Sequence, residues 1–163
     1  VTVPAPDAAA PRPGRNARSA GRALAIQWLY AWEQNRYQDD GHLVTAEALD
    51  DAGEAGTAFA AELEPGVVAN RTPIDAAIDQ RLQNWTIHRL SVIDRQILRL
   101  GAYEILYRED VPPRVAINEA VELAKQFGSE DKTPRLVNGV LDRLARDHRP
   151  EAFAGKAKDG GAA

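Results

Sequence analysis

Residues 115–144, VAINEAVELAKQFGSEDKTPRLVNGVLDRL, read as two helices joined by a sharp elbow. Ile117, Ala120, Val121, Ala124 and Phe127 recur at three- and four-residue spacing, which lays them along one helical stripe. Gly128 follows the last of them, where a left-handed C-cap favours a residue without a side chain. Thr133-Pro134 then offers a hydroxyl cap and a proline at the first helical position, and Val137, Val140, Leu141 and Leu144 repeat the spacing. Both stripes can be buried at once if the helices fold back on each other, so the stretch predicts an antiparallel helical hairpin.

Lys125, Phe127, Lys132 and Arg135 crowd around the elbow, with Asp131 and Asn138 beside them. Cations interleaved with an aromatic ring suit a single-stranded nucleic acid, the charges meeting phosphates and the ring stacking on a base. The same residues also read as solvated charge around a core phenylalanine, since Phe127 continues the apolar stripe. Residue types alone leave both readings open.

Working outward, Ser91 and Asp94 have near capping-box spacing and open a helix to about Tyr107 that is apolar around most of its circumference. Such a helix belongs in the middle of a bundle, and Gly101 inside it predicts close approach by a neighbour. A first helix runs from about Asn16 to Arg36, with Ala25, Trp28, Leu29 and Trp32 on one face. Arg15, Arg18 and Arg22 lie at its start, where cations oppose the helix dipole at a cost of about 0.3–1 kcal/mol each. Attraction of a polyanion explains that placement, and so does coincidence in an arginine-rich chain. Between these helices, Pro65-Gly66 predicts a break or a kink, Thr72-Pro73 a helix start, and Trp85 a ring packed beneath a bend. Asn118 and Asn138 sit within helices; Asn118 reads as hydrogen-bonding to a neighbouring helix, while for Asn138 that reading and a functional one stand level. Residues 1–15 read as a disordered Pro/Ala-rich lead, 16–149 as the helical domain and 150–163 as a flexible tail.

With 163 residues, 44% hydrophobic but only 6% aromatic, the chain suits one domain built by helix-on-helix packing, an all-α fold. A net charge of −4 argues against an RNA partner until its distribution is considered. Residues 1–36 carry five arginines against two acids, 37–66 carry eight acids and no Lys or Arg, and 67–163 carry fifteen bases against fourteen acids. The acidity is one central block, and both flanking segments are net positive. There are no cysteines for disulfides or thiolate metal sites, which fits a reducing compartment. No apolar run reaches membrane-spanning length and no secretory leader is visible, so a soluble cytoplasmic protein is expected.

No catalytic constellation emerges. His42, His88 and His148 are isolated, with no HExxH pair, and neither GxxxxGK[ST] nor GxGxxG is present. Asp39-Asp40 and Asp50-Asp51 read as solvated charge in an acidic connection, with nothing nearby to raise a carboxylate pKa.

RxxxRxxAxQxLYAW over 18–32, VIDRQILRLGAYEIL over 92–106 and the hairpin residues VAINEAVELAKQFG and VNGVLDRL together resemble the NusB family of bacterial transcription antitermination factors. The resemblance spans about residues 16–148. It implies a compact bundle of about seven helices in two small sub-bundles, no catalysis and no cofactor. It further implies binding of boxA-type single-stranded RNA from ribosomal RNA leaders together with the ribosomal protein NusE, within an antitermination complex with RNA polymerase. By motif position, Arg15, Arg18, Arg22, Lys125, Phe127, Asp131, Lys132 and Arg135 fall on the implied RNA face. Tyr30 and Asp94 fall where family members meet the protein partner.

The chain departs from the family pattern in three places. Ser19-Ala20-Gly21 separates Arg18 from Arg22 where adjacent arginines are common, Leu136 replaces a frequent aromatic, and Asp94 stands where glutamate is common. Two other readings compete. A similar domain precedes the catalytic domain of certain ribosomal RNA cytosine methyltransferases, although here the sequence turns to Ala, Gly, Lys and Asp soon after the last helix. Some family members also self-associate as homodimers that cover the RNA face.

Overall fold

A computed structural model describes residues 16–35 and 46–154. Arg15, the lead and most of the acidic connection before Ala46 lie outside these residues, as do His42 and the Asp39-Asp40 pair. The described residues form six α-helices and a single turn of 3-10 helix, followed by a last helical turn at 151–154, with no strand among them. In chain order these are α1 (Ala17–Gln34), α2 (Ala46–Ala69), α3 (Arg71–Asp79), the 3-10 turn (Ile87–Arg89), α4 (Val92–Tyr107), α5 (Pro113–Phe127) and α6 (Thr133–His148).

The all-helical expectation holds, and α4 is the shared wall between two sub-bundles. On one side α1 lies along α2, with α3 closing the end; on the other, α5 and α6 form the hairpin and both pack on α4. Ile97, Leu98, Leu100, Ala102 and Ile105 of α4 are all essentially inaccessible, as a helix apolar on most faces requires. Gly101 permits the hairpin to approach, since a Cβ there would lie 2.5 Å from Leu141 Cδ1 and 3.2 Å from the Ala120 methyl. A second close approach joins α1 to α2, where a Cβ on Gly21 would lie 2.5 Å from the Gly56 carbonyl oxygen.

Buried ion pairs stitch the first sub-bundle to α4. Arg99 meets Asp75 of α3 in a bidentate pair (2.8 and 2.9 Å) and Glu33 of α1 at 3.2 Å, while Arg95 meets Glu33 at 2.7 Å. Truncating one partner of such a pair leaves an uncompensated buried charge, which costs about 3–5 kcal/mol.

Several local expectations are corrected. Pro65 does not break α2, because it occupies an exposed position within a continuous helix; the kink is at Gly53, whose φ of 67° and ψ of −177° are open to glycine alone. α3 begins at Arg71, and Asn70 donates its amide to the Gly66 carbonyl at 2.8 Å, so Thr72 is inside the helix and not its cap. Thr133 is likewise inside α6, with Lys132 at the cap position. Trp85 is 53% exposed and does not pack beneath the bend. Asn118 and Asn138 are exposed, so neither sets the angle between helices. Residues 151–154 add a helical turn, and Phe153 packs against the core between the guanidinium groups of Arg114 (4.9 Å) and Arg146 (4.6 Å), which removes these residues from the expected tail.

Candidate nucleic-acid interface

The start of α1 is fixed by Asn16, whose side-chain oxygen accepts the Ser19 N–H at 2.8 Å. Arg18 and Arg22 follow on one face, both directed at the Phe59 ring of α2, 4.7 and 5.2 Å from its centroid. Their surroundings then diverge. The contact at Gly21 and Gly56 draws Arg22 inside, where it is 2% exposed and paired with Glu104 through two 2.8 Å bonds, with Glu119 at 3.7 Å. Arg22 is therefore withdrawn from the expected RNA face: a guanidinium so enclosed cannot reach a phosphate without breaking a desolvated pair.

Arg18 stays at the surface, half exposed, with Asp110 at 3.2 Å. Asp110 also accepts two bonds from Arg108, at 2.9 and 3.0 Å, and Arg108 reaches Glu62 at 3.0 Å. The hydrogen bonds from Arg108, and secondarily from Arg18, hold the Asp110 carboxyl down at about 2. Sequence reading missed this network, because a contact between Arg18 and a loop 92 residues away has no local signal.

The elbow between α5 and α6 is built around Asp94. Its carboxylate, 6% exposed, accepts from the Ser129 N–H at 2.9 Å, from the Ser129 hydroxyl and from the Thr133 hydroxyl at 3.2 Å. The Thr133 oxygen in turn accepts the Glu130 N–H at 3.2 Å. Gly128 is needed for space and not for handedness: its φ of −56° and ψ of 146° are ordinary, but a Cβ would lie 2.3 Å from the Ala124 carbonyl oxygen and 2.9 Å from the Thr133 Cβ. Asp94, expected at a partner surface, is thus committed inside the chain as the elbow's internal acceptor.

Around this hydrogen-bonded turn Lys125, Asp131, Lys132 and Arg135 are exposed, and a shallow polar hollow of about 290 Å³ lies between Lys125, Ser129, Asp131 and Pro134. Lys125 pairs with Glu122 at 3.0 Å and Lys132 with Glu130 at 3.2 Å, all on exposed side chains whose pairing is worth little and is readily exchanged for a phosphate. Phe127 is half buried and packed on the core, so it continues the apolar stripe without being fully enclosed. The Ser19 hydroxyl donates to Glu119 at 2.7 Å and ties α1 to the middle of α5. Arg18 meets Asp110 just ahead of α5, so it and the elbow lie toward opposite ends of that helix, which at 1.5 Å per residue is about 22 Å long. Tyr30 is half buried one turn before Glu33, and Glu33 binds Arg95 next to Asp94, so Tyr30 sits near the start of α4.

Among the described residues no group of three or more His, Asp or Glu could hold a metal ion, and no helix is long and apolar enough to cross a membrane. Fold and site together define a helical bundle that offers a charged, aromatic-bearing elbow. The NusB family matches residues 19–146, and the chain belongs to that family. It is 41% identical over 140 residues to a transcription antitermination protein NusB of Geotalea uraniireducens, covering 80% of this chain and 94% of that one. The corresponding protein of Myxococcus xanthus is 44% identical over 139 residues, covering 79% and 94%. Among solved structures, a NusB of T. maritima superposes with a TM-score of 0.72 at 34% identity, covering 86% of this chain and 99% of that one. A structure of antitermination factors NusB and NusE in complex with dsRNA matches with a TM-score of 0.68 at 25% identity, covering 80% and 97%.

Proposed function

We propose that this chain is a transcription antitermination factor acting as a non-catalytic adaptor in the cytoplasm. It binds boxA-type single-stranded RNA of ribosomal RNA leaders together with NusE, and joins the antitermination complex with RNA polymerase. The observation that carries this reading is the elbow: Asp94 holds Ser129 and Thr133 so that Lys125, Lys132 and Arg135 project from a pre-formed turn beside Phe127. Pre-organised cations bind phosphates without first paying to order a loop. Family membership supports it, and the likeness to a structure of antitermination factors NusB and NusE in complex with dsRNA supports an RNA ligand and NusE as the partner.

Within this reading Lys125, Lys132 and Arg135 neutralise phosphates, Phe127 stacks on a base, and Asp131 accepts from a base amine or ribose hydroxyl. Arg18, and Arg15 ahead of it, extend the cationic track to the start of α1. Arg22 contributes by fixing α1 on α4. Tyr30 meets the protein partner, and Asp94 acts from inside the elbow, holding the turn that carries the cations.

Fluorescence anisotropy with a labelled boxA-like oligomer, single-stranded and as a duplex, each with and without NusE, tests the reading. Preferential binding of the single strand, tightened by NusE, is expected. Equal affinity for an unrelated oligomer, or no binding in any arm, overturns it.

A further inference from the structure

At the other end of α6 from the elbow lies a second place where an aromatic ring and cations come together. The loop from Gln80 to Leu90 holds the indole of Trp85 in solvent at 53% exposure, while the chain's other two tryptophans, Trp28 and Trp32, are 9% and 7% exposed. This is a braced loop. The Ile87 N–H donates to Asp79 at 2.7 Å, and Arg95 donates to the carbonyl oxygens of His88 and Leu90 at 3.1 and 2.9 Å. Arg143 of α6 donates to the Arg81 carbonyl at 2.8 Å, and Asn84, immediately before the tryptophan, adopts a φ of 66°. A left-handed residue in a loop pinned from both sides keeps a large apolar ring out of the core, against the tendency of such rings to be buried.

The same loop borders a hollow of about 360 Å³ lined by Arg81, Gln83, Arg143, Arg146 and Asp147 among others, and Gln83 precedes Trp85 by two residues in the chain. Arg81, itself mostly enclosed, meets the well-exposed Asp147 at 3.0 Å, and the exposed Arg146 meets the partly exposed Asp142 at 2.9 Å, so in each pair one member faces solvent and can be exchanged for a stronger anion. Arg143, His88 and Arg89 are exposed as well.

We propose that Trp85 and the arginines of this hollow form a second single-strand RNA contact, with the indole stacking on a base and Arg81, Arg143 and Arg146 receiving flanking phosphates. Lys132 and Arg146 are fourteen residues apart on α6, about 21 Å, so an RNA longer than the elbow's own ligand reaches both. The proposal rests on the RNA-binding reading above for its ligand class, and the test separates the two.

Titrate the full chain, wild type and Trp85→Ala, with a short boxA-like oligomer and with the same oligomer extended at both ends, following anisotropy of the RNA and tryptophan emission. Trp85→Ala is expected to leave the short oligomer's affinity unchanged and to weaken the extended one about 5- to 150-fold, with Trp85→Phe recovering most of the loss. Emission of the wild type should be quenched by the extended RNA only, and that quenching should vanish in Trp85→Ala. Identical affinity of wild type and Trp85→Ala for the extended RNA overturns the proposal, as does an equal loss for both oligomers. If Trp85→Ala weakens NusE binding while both RNA affinities hold, the surface docks protein and the proposal also fails. Failure of the wild type to bind the short oligomer, with Trp85-dependent binding of the extended one, removes the elbow reading and leaves this one standing.

Discussion

Arg18 and Arg22 are one helical turn apart and chemically identical, yet their environments separate what their loss does. Arg22→Ala strands Glu104 in the interior and is expected to lower stability by about 3–5 kcal/mol, read by denaturant unfolding. Arg18→Ala should leave stability nearly unchanged and weaken all single-stranded RNAs alike, lowering the salt slope by about 0.7. An unchanged salt slope would remove Arg18 from the interface. The sequence showed both cations at a helix start but not which was enclosed, because that depends on Gly21 meeting Gly56 in another helix. Asp110 makes a separate prediction. Its pKa falls from an ordinary 3.8 to about 2 because Arg108 and Arg18 favour the carboxylate. A depressed carboxyl contributes stability that is present above pH 3.8 and lost as pH falls through about 2. Asp110→Asn should therefore lose less stability than wild type between pH 4 and 2, and superimposable acid limbs in urea melts would contradict the network.

The elements were the most legible level, and their joints the least. Stripes at three- and four-residue spacing gave α1, α4, α5 and α6 nearly to their ends, and Gly101 gave the close packing of the hairpin on α4. Joints failed where local chemistry yielded to tertiary contacts: Thr133 turns inward to Asp94 and does not cap α6, and Trp85 is held outward by a loop braced from α4 and α6. Gly128 was placed correctly for the wrong reason. Its backbone is accessible to any residue, and the restriction is a carbonyl 2.3 Å and a threonine 2.9 Å from where a Cβ would stand. Neither neighbour is the tip of a flexible side chain. Gly128→Ala is thus expected to shift the elbow and lower stability by about 1–3 kcal/mol, with a parallel loss of RNA affinity. A variant that melts and binds as wild type does would show the elbow to be looser than its hydrogen bonds imply.

Across the whole molecule, one of the two candidate partner residues, Asp94, lies beneath the proposed RNA face, and that placement separates its expected role from that of Tyr30. Motif position groups Tyr30 with Asp94 at the partner surface, but Asp94 is also what holds Ser129 and Thr133, so a single carboxylate lies under the proposed RNA-binding turn. Tyr30, on α1, makes no such connection to the elbow. If NusE and RNA tighten each other through a coupling energy of about 1–3 kcal/mol, the same factor must appear in either titration. Tyr30→Ala is then expected to weaken NusE binding and to lower RNA affinity only when NusE is present. Asp94→Ala should differ, lowering RNA affinity with no partner in the tube, because the loss of three accepted hydrogen bonds frees the loop and adds its ordering to the cost of binding. Asp94→Asn, which keeps acceptor capacity but forfeits the charge, should fall between them. Paired RNA titrations of the three variants, each with and without NusE, distinguish the two roles. Wild-type RNA affinity for Asp94→Ala alone would return Asp94 to the partner surface, and a loss for Tyr30→Ala alone would place the tyrosine on the RNA path.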